Sequence, residues 1–270
     1  MKNAIVIGAS SDIGTALCQS WTAQGWKVTG TFRTQSEAVS RLQHEGVQMV
    51  PANLDSRDSV EGACRDLQTA MPVWDVLVLG PGLQDPVGLF TETDFDEWSE
   101  SITVNFTNQM RFVHRLLPSR NRSKGAIPAV LFFAGGGTNN APTHYSAYIV
   151  SKIGLVKMTE LLAAEVPDAS FTILGPGWVK TKIHESTLKA KTMAGANYER
   201  TLQKLESDEL TPMKQVVDCC TWLVESPREC VSGRNFSVVF DKWGDPRLDE
   251  LLIKNPDMYK LRRFGNEFLK

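Results

Sequence analysis

Hydrophobic residues fall along this chain in two alternating patterns. Short β-branched or apolar runs recur at residues 4–7, 27–31, 47–50, 75–79, 129–133, 170–174 and 235–240. Each has the length of a strand, and most are nearly continuous in apolar character. Between the runs, apolar positions return at helical spacing, as at Ile13, Ala16, Leu17 and Trp21, or at Val150, Ile153, Leu155, Val156, Met158, Leu161 and Leu162. Strands buried on both faces and separated by helices predict an α/β chain of about seven parallel strands, because parallel neighbours need crossover connections that lay helices over the sheet. Two stretches leave the alternation. Residues 182–210, rich in Lys, Glu and Thr, follow a strand end, where a substrate-covering segment is expected. The tail at 242–270 carries Trp243, Leu248, Leu251, Leu252, Met258, Tyr259, Leu261, Phe264 and Phe268. That much apolar surface predicts burial, on its own domain or against a neighbouring subunit. No repeat or Pro/Gly/Ser-rich linker divides residues 1–270, which read as one domain.

Composition narrows the function. The 270 residues are 42% hydrophobic and 22% charged, which suits one large core. A formal net charge of -2 gives no electrostatic ground for binding nucleic acid or an anionic membrane surface. The first apolar run is too short for a signal peptide or a span, so a cytoplasmic protein with a small-molecule partner is expected. Cys18, Cys64, Cys219, Cys220 and Cys230 show neither zinc-ligand nor C-x-x-C spacing, which predicts reduced packing residues and no metal site.

The first strand runs straight into Gly8-Ala9-Ser10-Ser11-Asp12-Ile13-Gly14, and a helical pattern follows. Gly8 permits a tight turn, Gly14 lets the helix pack near the strand, and Ser10, Ser11 and Asp12 suit a helix start whose N–H groups face a pyrophosphate. The reading is a doubly wound Rossmann-type fold. About twenty residues on, the second strand ends in Gly30-Thr31-Phe32-Arg33. An acidic residue there would bind the ribose 2′-hydroxyl of NAD, whereas Arg33 suits a 2′-phosphate and favours NADP.

Tyr148-Ile149-Val150-Ser151-Lys152 places a phenol and an ammonium one helical turn apart. A free phenol has a pKa of about 10, so a fixed cation beside it would favour phenolate and bring it toward use as an acid–base group. Tyr145 lacks a Lys four residues on, because position 149 is Ile.

Glycine turn, Tyr148 and Lys152 occur in the order seen in the short-chain dehydrogenase/reductase family, which the chain resembles over about residues 2–241. Asn105 resembles that family's active-site asparagine, and Gly175-Pro176-Gly177-Trp178-Val179-Lys180-Thr181 its Pro-Gly turn beside the nicotinamide. Asn53-Leu54 looks like the adenine-contacting pair, with Asn in place of the usual Asp. The resemblance implies hydride transfer between NADP(H) and a carbonyl or secondary alcohol, in a homodimer or homotetramer. Tyr148 would exchange the oxygen proton and Lys152 would hold the nicotinamide ribose. Asn105 would position a relay water, and Pro176, Gly177, Val179 and Thr181 would line the nicotinamide, Thr181 binding its carboxamide. The Leu261-Arg262-Arg263 ending resembles reductases of bacterial surface-carbohydrate pathways and hints at a sugar-like substrate.

Besides Asn53, and Asp12 standing where a third glycine might be expected, two departures from the family are visible. Its Asn-Asn-Ala-Gly turn is here Leu79-Gly80-Pro81-Gly82, which keeps the turn but loses the asparagine side chains. Its substrate-orienting Ser, thirteen residues before the Tyr, is Gly135. Losing one such donor costs about 3 kcal/mol of transition-state stabilisation. Thr138 or backbone N–H groups of the glycine run are the expected substitutes; a Ser restored at 135 is expected to return the hydroxyl toward a small ketone, or to clash if the native substrate fills the space the glycine leaves. Two other readings stay open at this point. One is a non-catalytic NADP sensor, and the other is a nucleotide-sugar epimerase or dehydratase, whose Gly-x-x-Gly-x-x-Gly turn and larger C-terminal domain are not matched here.

Overall fold

A computed structural model describes residues 1–137, 139–207, 209–265 and 268. Its strands are β1 (Asn3–Ile7), β2 (Lys27–Phe32), β3 (Gln48–Pro51), β4 (Val76–Leu79), β5 (Ala129–Phe133), β6 (Ser170–Gly175) and β7 (Arg234–Ser237). They form one sheet in the order β3-β2-β1-β4-β5-β6-β7, with every adjacent pair parallel. In chain order the helices are α1 (Asp12–Ala23), α2 (Glu37–His44), α3 (Arg57–Ala70), α4 (Phe95–Ile102), α5 (Asn108–Leu116), α6 (Ser146–Glu165), α7 (Glu185–Ala190), α8 (Ala196–Glu206), α9 (Met213–Glu225), α10 (Arg228–Val231) and α11 (Pro246–Lys254). This is the doubly wound, Rossmann-type α/β fold that the hydrophobic pattern predicts.

Successive strand residues point to opposite faces, and the core divides accordingly. Ala4, Val6, Val76 and Val78 face a core completed by Leu17 and Trp21 of α1 and Val216 and Cys220 of α9. Ile5, Ile7, Leu77 and Leu79 face the other, with Leu67 of α3, Phe112 of α5 and Leu155 of α6. Each fully buried side chain of this size contributes about 1.5–3 kcal/mol, so both helix layers are held by many comparable increments. All five cysteines are buried and free, as packing residues should be.

The last strand is shorter than its apolar run. It stops at Ser237, whose N–H donates to the Asp241 carboxylate at 2.6 Å, and Phe240 projects into solvent. The Val238 N–H still bonds the Gly175 carbonyl of β6 at 3.0 Å, after which the chain turns away from the sheet. The tail packs on its own domain through part of its apolar set, while Leu251, Phe264 and Phe268, expected to be buried, are exposed. Leu248 and Leu252 of α11 are buried, Tyr259 meets Phe236 edge-on, and Arg262 pairs with Glu160 at 2.6 Å. Arg234 on β7, only 4% exposed, donates to the carbonyls of Leu252, Asn255 and Met258. Arg262 is therefore engaged structurally, and gives no argument about substrate.

Candidate active site

Strand order puts the crevice beside β1, because the chain turns from β1 toward β2 and β3 on one side and reappears as β4 on the other. Ligands of such sheets bind outside the carboxyl ends of the strands at this switch point. Gly8, directly after β1, has φ +79°, a conformation that only glycine adopts without strain, and its N–H donates to Thr31 Oγ1 at 2.9 Å. Ser11 caps α1 by accepting from the Gly14 N–H at 3.1 Å, and a Cβ on Gly14 would run into the Gly8 carbonyl. Ser10, Asp12 and Ile13 complete this backbone cradle at a helix N-terminus. Arg33 follows β2, exposed. Asn53 and Leu54 follow β3, where Asn53 Oδ1 accepts from the Asp55 N–H and Leu54 O accepts from Asn108 Nδ2 at 2.7 Å. Gly80 follows β4, its N–H donating to Ile7 O at 3.0 Å.

Tyr148 and Lys152 lie side by side on the first half of α6, 8% and 3% exposed. Lys152 Nζ stands 5.7 Å from the Tyr148 ring centroid and donates to the Pro81 carbonyl at 3.4 Å. Burial pulls the ammonium down to about 8 and pushes the phenol up to about 12. The second shift reverses the expectation that Lys152 favours phenolate: the ammonium lies over the ring rather than at the hydroxyl, and desolvation dominates. Tyr148 is a neutral phenol at physiological pH. No carboxylate contributes to either shift, so the ammonium keeps donor capacity for hydroxyls entering the cleft. A buried cation with spare donors beside a glycine turn and a helix N-terminus fits a nicotinamide dinucleotide.

The glycine at the end of β5 has an unforeseen reason. A Cβ at position 135 would fall 2.6 Å from Tyr148 Cε1 and 2.7 Å from its hydroxyl oxygen. The phenol thus occupies the volume that a side chain at 135 would need, and the expectation that a Ser there would restore a missing hydroxyl is corrected. Thr138, the expected substitute donor, lies outside the described residues.

Asn105 sits in a widened π-helical turn, Thr103–Thr107, that joins α4 to α5. Its Oδ1 accepts from the Leu83 N–H at 2.8 Å, and its Nδ2 donates to Leu83 O at 2.7 Å and Ser101 Oγ at 3.2 Å. One turn on, Gln109 Nε2 donates to the same Pro81 carbonyl that receives Lys152, at 3.0 Å. The sequence reading missed Gln109. A polar residue four positions beyond Asn105, on the same helix face as Phe112, Val113 and Leu116, was the available signal.

Residues 182–206 fold as short helical turns with α7 and α8 and dock onto the cleft. Tyr145 OH donates to Thr187 Oγ1 at 2.8 Å, and Thr187 donates on to Gln84 Oε1 at 3.2 Å. Ser186 donates to Asp85 at 2.6 Å, and the Lys182 N–H donates to Asp12 of the glycine turn at 2.8 Å. His184 stacks on Trp178 at 5.0 Å and bonds Val179 O at 2.9 Å, beside the Pro176-Gly177 turn and Thr181.

A model of the short chain dehydrogenase family matches residues 2–192. The chain belongs to that family. It is 30% identical over 186 residues to nodulation protein G of Rhizobium sp. (strain N33), covering 67% of this chain and 74% of that protein. The fold superposes on a variant of actinorhodin polyketide ketoreductase with NADPH at a TM-score of 0.76, 20% identical, over 88% of this chain and 95% of that one. It also superposes on 3-ketoacyl-(acyl-carrier-protein) reductase from Brucella melitensis complexed with NADH at 0.74, 19% identical, over 88% and 96%. As a short-chain dehydrogenase, the protein is an oxidoreductase of a family that works with nicotinamide cofactors. Among the described residues, no helix is long and apolar enough to cross a membrane.

Proposed function

We propose that the protein is an NADP(H)-preferring reductase of a polar, sugar-like carbonyl compound, with the secondary alcohol as product. The observation that carries this is the buried Tyr148–Lys152 pair, without a neighbouring carboxylate, beside the glycine turn. A phenol that keeps its proton can donate it to a carbonyl oxygen gaining negative charge, which suits the pair to the reductive half of the reaction. Bound NADPH would supply the hydride from its nicotinamide. Lys152 would hold the ribose hydroxyls, Tyr148 would deliver its proton to the substrate oxygen, and Asn105 would keep the loop after β4 in place. Thr181 would face the carboxamide. Arg33, the cation after β2, supports the preference for the 2′-phosphate, since fold neighbours with either cofactor leave the choice open.

Polar groups around the mouth, Tyr145, Gln84, Thr187 and Ser186, favour a hydroxylated substrate over an apolar one. Exposed Phe95 on α4 and Val150 and Leu161 on α6 support a homodimer or homotetramer. Five buried free thiols support a cytoplasmic site of action. Residues 182–210 would serve as the substrate-covering segment.

The test is NADPH oxidation with a panel of aldoses, ketoses and keto-sugars. Wild type should turn over at least one, and Tyr148→Phe should lose about a hundredfold or more of kcat while its affinity for NADPH stays within about twofold. Tight NADPH binding with no turnover of any carbonyl compound would favour the sensor reading instead.

A further inference from the structure

The turn after β4 carries no side-chain donor of its own: Leu79, Gly80, Pro81 and Gly82 offer only backbone. Yet the Pro81 carbonyl is bonded twice, by Gln109 Nε2 at 3.0 Å and by Lys152 Nζ at 3.4 Å. The two donors come from different helices, α5 and α6. Gln109 is fully buried, and its Oε1 is a buried acceptor with no partner among the described residues. An unsatisfied buried amide oxygen is destabilising, so a glutamine here needs a reason other than packing. Ser101, Asn105 and Gln109 form a buried polar stripe at four-residue spacing. Four α-helical residues drift by about 40° around the axis, and the π turn between them offsets that drift, so that Asn105 and Gln109 both reach the loop of residues 81–83 while Ser101 supports Asn105.

We propose that Gln109 is a positioning residue for Lys152. Its amide nitrogen fixes the Pro81 carbonyl to which the ammonium bonds, and its open Oε1 completes the ammonium's shell through a bridging water. A brace that the family's turn carries on an asparagine is thus moved to the neighbouring helix. The ammonium faces Tyr148 on its own helix and Pro81 of the turn, while Gly82 and Ile183 border it. Tyr148 is the titratable group among these. The inference rests on the reading of Lys152 as the ribose-holding cation.

Three proteins decide it: wild type, Gln109→Leu and Gln109→Glu. The pH at which Lys152 becomes reactive is read without cofactor, by competitive acetylation and mass spectrometry. NADPH affinity against pH and thermal unfolding are read alongside. In Gln109→Leu the midpoint of Lys152 should fall by about one pH unit, because the desolvated ammonium loses its fixed acceptors. Thermal unfolding shows whether each variant folds, since Gln109→Leu exchanges the bond to the Pro81 carbonyl and a water-bridged acceptor for apolar atoms. In Gln109→Glu the midpoint should rise above wild type, because a carboxyl group favours the charged form. The alkaline limb of NADPH binding should move with the midpoint in each protein. A purely structural glutamine would instead change stability and leave the midpoint fixed. Unchanged midpoints in both variants overturn the proposal, and if Gln109→Leu does not fold, the direction of the Gln109→Glu shift decides alone. Wild type that binds no nicotinamide dinucleotide would remove the functional reading, while the acetylation midpoints would still decide the role of Gln109.

Discussion

At the β1 end of the cleft the walls are backbone: Gly8 at positive φ, the first N–H groups of α1, and Gly14 close enough to Gly8 that a methyl group would collide. At the β4–β5 end they are side chains reaching in from elements distant in sequence, with Lys152, Gln109 and Asn105 all bonding the loop of residues 81–83. The first end keeps Gly8 and Gly14, with Asp12 where a third glycine is expected, and the second departs at the turn after β4 and at Gly135. A backbone cradle has few solutions, because close approach to phosphate demands glycine. A side-chain brace has many, because a hydrogen-bond donor reaches the same carbonyl from a turn or from the next helix.

The comparison breaks most sharply at position 135. If Tyr148 depends on the volume that Gly135 leaves open, Gly135→Ser should lower kcat by about a hundredfold or more, since a misplacement of about 1 Å costs that much at a reacting centre. NADPH affinity should barely change. Steady-state kinetics with a binding titration checks this, and a Gly135→Ser variant as active as wild type would mean that the phenol has another productive pose. At the backbone end, Arg33→Ala should weaken NADPH by about tenfold to a hundredfold, the value of a charged hydrogen bond at about 1.5–3 kcal/mol, and leave NADH nearly unchanged. Equal losses for both cofactors would place Arg33 off the 2′-phosphate. The smallest effect is on pH. Lys152 has a lowered pKa, so its proton is lost as pH rises through about 8 while Tyr148, near 12, stays protonated. Reduction should therefore be flat below about pH 7 and fall up to tenfold per unit above about 8, in kcat/KM. A profile that rises with pH across this window would restore the phenolate that sequence alone suggests.

Seven strands, their helices and the parallel order were legible because buried parallel strands are written as nearly continuous apolar runs. The glycine turn and the Tyr148–Lys152 spacing were legible because each is local, within one turn of chain. Gly135 reads in sequence as a lost hydroxyl, since the ring that fills its space comes from thirteen residues away. Gln109 reads as an ordinary helical residue, since its partner is a carbonyl 28 positions earlier. The phenol's acidity was misjudged for the same reason: spacing reveals a neighbouring cation, but the water excluded by both helix layers is a property of the packed whole.

Arg234 carries a consequence for where this molecule can be cut. Its guanidinium, on the outermost strand of the sheet, is satisfied by three carbonyls from Leu252 to Met258. A protein trimmed after β7, at the point where the family resemblance fades, would strand that cation against an apolar edge. Residues 246–262 are therefore not an appendage to be removed for expression or crystallisation. They close the sheet's final edge electrically as well as sterically, and the working boundary of the catalytic unit lies beyond Met258.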